Sequence, residues 1–235
     1  MNPARRARHI LDGLEGQHPG ADTELVYRNA FELLVATLLS AQSTDERVNL
    51  VTPLLFRQYP DAAALAKAVL RELELLIHST GFFRTKAKAL VGMAQQLVER
   101  HGGSVPPDID ALTELPGVGR KTANVVLGHA LGVPGLPVDR HVLRVSNRIG
   151  IANSDDPAAV ERQLCRLLPK SRWTRVSDTL ILHGRRICRP TPLCDRCGVR
   201  DECDYFLHAA RRGAPTRGGA AAKRRAGGTG VRRRP

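Results

Sequence analysis

Leu115-Pro-Gly-Val-Gly-Arg-Lys-Thr-Ala-Asn-Val-Val-Leu127 is the stretch that decides the fold. Pro116 ends the short helix before it, and Gly117 and Gly119 permit positive φ in a tight turn. A new helix begins near Arg120, so the amides of the turn and of the helix N-terminus point outward together. Such a cradle binds a phosphate without reading base sequence. The stretch predicts a helix–hairpin–helix element, and the alternative is an ordinary glycine-containing turn between two helices.

Apolar residues recur at helical spacing on both sides of this element. Leu90, Met93, Ala94 and Leu97, for example, share one helical face. No convincing alternating strand pattern interrupts this periodicity, so the predicted fold class is all-α. We expect helices at Phe31–Ser40, Asp45–Tyr59, Asp61–Val69, Thr85–His101, Asp110–Leu115, Lys121–Leu131, Asp139–Ile149, Pro157–Leu168 and Trp173–Arg186.

Charge is distributed unevenly along the 235 residues. The net charge of +13 points to a polyanionic partner, such as nucleic acid or an anionic membrane surface. Nine of the 36 Lys and Arg residues lie in 209–235, which has no Asp or Glu, so the remainder is only +4. This segment is rich in Gly, Ala, Arg and Pro, and we expect it to be a disordered basic tail.

Targeting signals are lacking from the sequence. No apolar run is long enough to form a transmembrane helix, and no signal-peptide apolar region follows the basic residues 1–8. We therefore expect a cytoplasmic, nucleoid-associated protein that does not bind membranes. Disulfides are disfavoured in that compartment, which bears on the five cysteines.

Four of the cysteines are clustered near the C-terminus. Cys188, Cys194, Cys197 and Cys203 have the spacing C-x5-C-x2-C-x5-C, which in a reducing compartment indicates a metal site. A structural zinc takes four thiolates and so does an iron–sulfur cluster, and the spacing alone does not separate the two. Two disulfides are the remaining alternative. Cys165 lies in an apolar helix pattern and is interpreted as a core residue.

Lys121 and Asp139 are the pair of side chains that could carry chemistry. Lys121 begins one helix, and Asp139 is a natural N-cap for the next. Short connections place consecutive helices side by side, so the two residues can approach each other, although the spacing does not require it. The alternative is a solvated lysine and an aspartate that only caps its helix.

LPGVGRKTANVVL followed by VDRHV resembles the HhH-GPD superfamily of DNA glycosylases. The stretches FELLVATLLSAQSTD, STGFFRTKA and LILHGRRIC extend the resemblance over about residues 11–205. The resemblance implies two lobes, with DNA and the active site in the cleft between them. It assigns 23–133 to a helical barrel domain that contains the hairpin, and 1–22 with 134–208 to an iron–sulfur cluster domain.

The presence of both Lys121 and Asp139 resembles the bifunctional members of the superfamily, which combine glycosylase and AP-lyase activities. In that chemistry Lys121 attacks C1′ of a damaged nucleotide and displaces the base. Asp139 helps to deprotonate the amine and stabilises the cationic sugar, and the resulting Schiff base undergoes β-elimination. The implied partner is double-stranded DNA with oxidised pyrimidines or abasic sites, bound by a monomer. A monofunctional glycosylase and a non-catalytic DNA-binding paralogue of the same fold are the alternatives.

Reaching a base inside a duplex requires that it be flipped out. By resemblance, Gln42 and Phe82 fill the gap, and Phe82 stands where the family often has Leu. A phenylalanine buried in the core is the alternative for Phe82. Ser40 and Asp45 are assigned to the pocket, with an N-cap as the alternative for Asp45. The other implied DNA contacts come from Gly117, Val118, Gly119, Arg120, Thr122, His141 and Arg189.

The resemblance also implies that Cys188, Cys194, Cys197 and Cys203 hold a 4Fe–4S cluster. The family usually has six residues between the first two cysteines, and this chain has five. Arg189 is the only charged residue in that shortened loop, which normally presents basic residues to DNA.

Overall fold

The computed structural model describes residues 2–211, of which 209–211 are described by their backbone alone. All regular structure within these residues is helical, which confirms the predicted all-α class. Four short 3-10 turns accompany the helices, at His78–Thr80, Lys170–Arg172, Cys194–Arg196 and Arg200–Glu202. The α-helices of the described residues are α1 (Pro3–Gln17), α2 (Ala30–Ser40), α3 (Asp45–Gln58), α4 (Ala62–Ala66), α5 (Leu70–Ile77), α6 (Phe83–His101), α7 (Ile109–Thr113), α8 (Arg120–Ala130), α9 (Arg140–Ile149), α10 (Pro157–Leu167), α11 (Trp173–Arg186) and α12 (Asp204–Arg211).

The two ends of the chain differ from the sequence expectations. Helix α1 was not predicted, yet it begins with an Asn2 side chain that accepts a hydrogen bond from the Ala4 amide, and it buries Ile10 and Leu14. Helix α12 continues to Arg211, so the predicted tail of 209–235 starts too early. The rest of that tail lies outside the described residues. Where the structure describes the chain, no helix is long and apolar enough to cross a membrane.

The predicted helix Asp61–Val69 is wrong in its extent. The Asp61 side chain caps α4 as a first-turn acceptor, bonding the Ala64 amide at 2.8 Å. The helix stops at Ala66, and a second helix, α5, begins at Leu70. Helix α5 buries Leu73 and Ile77, so the chain turns here to bring a second apolar face to the core.

The buried apolar side chains form two separate clusters. The first core consists of those in residues 25–127 and is built by α2–α8. The second core consists of those in residues 7–14 and 136–203, from α1, α9–α11 and the cysteine segment. The connection between α8 and α9 passes from one core to the other. At this crossing Gly135 lies against α8 so closely that an added Cβ would be 2.3 Å from the Asn124 carbonyl oxygen, and only glycine fits.

Candidate active site between the two cores

One pocket at the junction of the two cores contains four of the residues singled out from the sequence. Lys121, Asp139, Ser40 and Asp45 all line it. Apolar side chains from both cores also line it, namely Leu25, Val125, Pro137 and Ile181.

Lys121 is presented by the hairpin predicted from the sequence. Gly117 has φ +79°, and an added Cβ would lie 2.9 Å from the Ala89 Cβ, so the turn requires glycine twice over. Helix α8 follows, with Gly119 at its N-cap and no side chain bonded to its first amides. Lys121 is the second residue of α8 and is exposed. The helix N-terminus that carries the amine therefore also has uncapped amide groups.

Two hairpin residues with predicted DNA contacts also make contacts within the protein. Val118 is 5% exposed, and its amide donates to the Leu115 carbonyl at 3.0 Å, so neither group is available to a phosphate. The Arg120 guanidinium donates to both carboxylate oxygens of Glu161, at 2.7 and 2.8 Å. This pair links α8 to α10, and because the Arg120 side chain is still 51% exposed, its contact with DNA stays a prediction.

Asp139 is held rigidly by its own helix. Its Oδ1 accepts hydrogen bonds from the amides of His141 (2.7 Å) and Val142 (2.9 Å), which confirms the predicted N-cap of α9. These bonds use one carboxylate oxygen and fix the plane of the group. The second oxygen, Oδ2, is not used by the cap. Asp139 thus combines its capping role with a place in the pocket.

Gln42 and Phe82 share an unusual backbone conformation. With φ of 55° and 47°, they are the two non-glycine residues within 2–211 that have positive φ. Such strain costs on the order of 1–3 kcal/mol and clusters at functional sites. Phe82 is 65% exposed, so the alternative of a phenylalanine buried in the core is wrong.

Asp45 does not cap its helix. Thr44 is the N-cap of α3, and its hydroxyl accepts from the Arg47 amide at 3.1 Å. The Asp45 carboxylate instead bonds Arg185 of α11 at 3.0 Å. Arg185 also pairs with Glu24. A charged group was therefore missed at the pocket edge, and the pairs that Arg185 makes span 140 residues or more, which no local pattern reveals.

His129 and Asp178 form a buried link between the cores. His129 Nε2 lies 3.3 Å from Asp178 Oδ1, and its Nδ1 lies 3.4 Å from Asp22 Oδ1. Burial alone would lower the pKa of His129, but the hydrogen bond and charge of Asp178 raise it above its ordinary value. Burial raises the pKa of the Asp178 carboxyl, and the bond to His129 opposes this. Both residues line the pocket, and neither was identified from the sequence.

The remaining predicted contacts lie outside the pocket lining. His141 is half-buried, and its Nδ1 lies 3.1 Å from Nη2 of Arg144. Thr122 is half-buried on α8. Arg189 is exposed, and its Nε donates to the Arg185 carbonyl at 3.2 Å. Their contacts with DNA stay predictions.

The four clustered cysteines line one cavity beside the second core. Arg148 Nη1 lies 3.5 Å from Cys188 Sγ, and His183 Nε2 lies 3.7 Å from Cys197 Sγ. All the cysteines in the chain are free thiols here, which excludes the alternative of two disulfides for this structure. Burial raises the pKa of the Cys197 thiol to about 11, so a metal that binds these sulfurs must displace protons.

The spacing of the four cysteine sulfurs bears on the two candidate metals. Thiolates around one zinc ion at about 2.3 Å lie roughly 3.8 Å apart. Among the described residues, no three of these cysteine sulfurs lie within 4.8 Å of one another. A wider separation of the thiols is compatible with an iron–sulfur cluster, which keeps its thiolates apart.

Comparison with known proteins gives the same family from sequence and from structure. The profile of the HhH-GPD superfamily, described as base excision DNA repair proteins, matches residues 35–170. Endonuclease III of Synechocystis sp. is 50% identical over 201 residues, which are 85% of this chain and 92% of the relative. Endonuclease III of Bacillus subtilis is 45% identical over the same shares of the two chains.

A solved structure of a trapped endonuclease III–DNA covalent intermediate superposes with a TM-score of 0.84 at 41% identity. The match covers 90% of this chain and 100% of that one, which confirms the predicted two-lobed helix–hairpin–helix fold. The chain therefore belongs to the HhH-GPD superfamily of base excision DNA repair proteins and, within it, to the endonuclease III family.

Proposed function

We propose that this protein is a bifunctional DNA glycosylase and AP lyase that removes oxidised pyrimidines from double-stranded DNA. The observation that carries the proposal is the meeting of Lys121 and Asp139 in one pocket between the two cores. An amine beside a fixed carboxylate is the pair that a Schiff-base reaction at a sugar carbon needs. A protein with this substrate acts in the compartment that holds chromosomal DNA, which in a bacterium is the cytoplasm.

The chemistry proceeds through a covalent bond between the protein and the sugar. The neutral Lys121 amine attacks C1′, the N-glycosidic bond breaks, and the base leaves with the bonding electron pair. Opening of the sugar ring gives an iminium ion between Nζ and C1′. This cation acidifies the C2′ proton, and its loss expels the 3′ phosphate, which cuts the strand.

Asp139 acts at two points of this sequence. Its carboxylate takes up the proton that the Lys121 ammonium must lose and passes it to the departing base, and the negative charge thus restored stabilises the cationic sugar. The two amide bonds to Oδ1 prevent the group from rotating. A preorganised charge needs no rearrangement during the reaction, so its stabilisation is fully available in the transition state.

DNA binding uses the uncapped start of α8 and the two strained turns. The α8 amides receive a phosphate of the damaged strand. Ser40 and Asp45 both line the pocket, and Gln42 lies between them in the chain, so its turn stands at the pocket rim. Gln42 and the exposed Phe82 ring occupy the space that the extruded nucleotide leaves.

The four thiolates hold a 4Fe–4S cluster, which supports the second core. When bound, the cluster cross-links the cysteine segment, which has only two short 3-10 turns between Cys188 and Cys203. We assign residues 1–22 and 134–208 to this domain and 23–133 to the barrel domain, because the two cores divide the chain in nearly the same way.

Borohydride trapping tests the function most directly. The reagent reduces the iminium ion to a stable amine, so wild-type protein incubated with a thymine-glycol duplex should give one covalent adduct. Lys121→Gln should bind the same duplex and give neither adduct nor strand cleavage. Lys67→Gln, which changes an exposed lysine outside the pocket, should trap like the wild type.

Two outcomes would contradict the proposal. Base release without an adduct would identify a monofunctional glycosylase, and binding without base release would identify a non-catalytic DNA-binding protein. The cluster has its own test: purified protein should be yellow-brown, with broad absorption near ~400 nm. If the protein contains stoichiometric zinc and lacks that absorption, the four cysteines bind a structural zinc ion and the cluster assignment is wrong.

A further inference from the structure

Lys86 is a buried lysine that the reaction above does not use. It lies in the first turns of α6, is 7% exposed, and no carboxylate among residues 2–211 forms an ion pair with it. Burial lowers the pKa of its ammonium group. An unpaired buried charge is expensive, so the hydrogen bonds that it makes must matter for something beyond packing.

Those hydrogen bonds join two distant segments of the chain. Nζ donates to the Leu39 carbonyl at 2.7 Å and to the Thr80 carbonyl at 2.8 Å. The Lys86 amide also donates to the Phe82 carbonyl at 3.0 Å. Leu39 lies in the last turn of α2, where carbonyl groups lack partners within the helix.

The bonded carbonyls lie two or three residues before the two strained residues. Leu39 comes three residues before Gln42, and Thr80 comes two residues before Phe82. Gln42 and Phe82 are the two non-glycine residues within 2–211 that have positive φ. The Lys86 amine is therefore hydrogen-bonded to the segments from which both turns begin, and it holds these segments at a fixed separation.

We propose that Lys86 is a positioning residue that sets the spacing of the Gln42 and Phe82 turns so that both side chains enter one gap in the DNA. The inference rests on the proposed function, because it assumes that these side chains replace an extruded nucleotide. It assigns Lys86 no contact with substrate. Its loss should impair the opening of the duplex and spare the chemistry at Lys121.

Two substrates separate these steps. A thymine-glycol duplex must be opened before reaction, whereas an abasic site in single-stranded DNA offers its sugar directly. Lys86→Met keeps the length of the side chain and removes its donors. Its single-turnover base release from the duplex should fall roughly 10–100-fold, the size expected for a misplacement of about 1 Å. Its cleavage of the single-stranded abasic site should stay within about 3-fold of wild type.

Three controls sharpen the result. Lys88→Met changes an exposed lysine on the same helix and should match wild type on both substrates. Lys86→Arg retains donors and should recover part of the duplex activity. In the Lys86→Met, Phe82→Ala double variant the losses should be less than additive, since one residue acts through the other. Equal losses on both substrates, or none on the duplex, would overturn the proposal.

A binding assay keeps the test independent of catalysis and of folding. The probe is a duplex with a tetrahydrofuran abasic analogue, which the enzyme cannot cleave, and a fluorescent 2-aminopurine in the opposite strand. Its fluorescence should increase when wild type or Lys88→Met binds. Lys86→Met should bind with little brightening; if it fails to fold, Lys86→Gln is measured instead, and full brightening with that variant overturns the proposal. If wild type increases the fluorescence but gives no covalent adduct with borohydride, only the proposed function is contradicted. If wild type gives the covalent adduct but does not increase the fluorescence, only the positioning role of Lys86 is contradicted.

Discussion

The first core and the second core are stabilised by different means. The first packs fully buried side chains such as Leu34, Leu73 and Leu90 between regular helices. The second core borders the segment 188–203, which has no α-helix, so its backbone carbonyls need other partners.

Arginines supply many of those partners. Arg6 of α1 donates to the Ile149, Gly150 and Glu202 carbonyls at 2.8–3.1 Å. Arg148 of α9 donates to the carbonyls of residues 189 and 190 at 2.6 and 2.9 Å. The comparison teaches that apolar periodicity is sufficient for one half of the molecule, whereas the other half also depends on long polar side chains and on the group that its thiolates hold.

Loss of a cysteine ligand should break this contrast most severely. We expect Cys194→Ser to lose the absorption near ~400 nm and roughly 4 kcal/mol or more of unfolding free energy. Hydrogen exchange should accelerate in residues 188–203 and stay slow in α2 and α6. Cys165→Ser, outside the four, should retain the absorption. Equal acceleration in both cores would show that they do not differ in this way.

Gly117 tests the first core at the hairpin. Gly117→Ala meets a positive φ and the Ala89 Cβ at 2.9 Å, so urea unfolding should show a loss of about 2–3 kcal/mol. Gly119 has φ −88° and no atom within 4 Å of an added Cβ. Gly119→Ala should keep wild-type stability and weaken DNA binding about 10-fold, because the methyl group enters the phosphate cradle. Wild-type affinity for Gly119→Ala would exclude the cradle.

Arg6 tests the polar bonding of the second core. Arg6→Met keeps the aliphatic stem and leaves three backbone carbonyls without this donor, which should cost about 1–2 kcal/mol. Arg5→Met, at an exposed neighbouring position on α1, should cost less than about 0.5 kcal/mol. Chemical denaturation of the two variants side by side gives the difference. Equal values would show that the arginine bonds add nothing to the second core.

The smallest expected effect is a pH dependence at the contact between the cores. The folded pKa of His129 lies above its ordinary value of 6.5 because of Asp178 and Asp22, despite burial. Protonated His129 therefore stabilises the folded state fully below 6.5, and this contribution is lost as the pH rises through the raised pKa. Unfolding free energies of wild type should decline over that window, and those of His129→Gln should decline less. Parallel curves would contradict the assignment.

Local signals explain what the sequence could predict. Asp61 and Asp139 cap their helices as expected, and Gly117 has the expected positive φ in the hairpin, whereas Gly119 has φ −88°. The pairing of Lys121 with Asp139 followed from the family resemblance, since spacing alone allowed it without requiring it. Helix α1 was not predicted, although Ile10 and Leu14 stand at helical spacing and Asn2 is a suitable N-cap.

Contacts between distant segments could not be predicted. Lys86 meets Leu39 across 47 residues, and Arg120 meets Glu161 across 41. Nothing near Lys86 or Arg120 in the chain announces such partners, because long side chains find them only after the helices have packed. The same holds for Arg148 beside Cys188.

The start of α8 carries the proposed nucleophile, Lys121, and the uncapped amides within a single helical turn. A strand that is anchored at those amides has its neighbouring sugar delivered at a constant offset from the amine, whatever the base attached to it. The protein must then select damaged nucleotides by their ability to leave the base stack, because the backbone is held in the same place for every base. If the lysine were on a separate mobile loop, phosphate binding would not fix the position of the sugar relative to the amine.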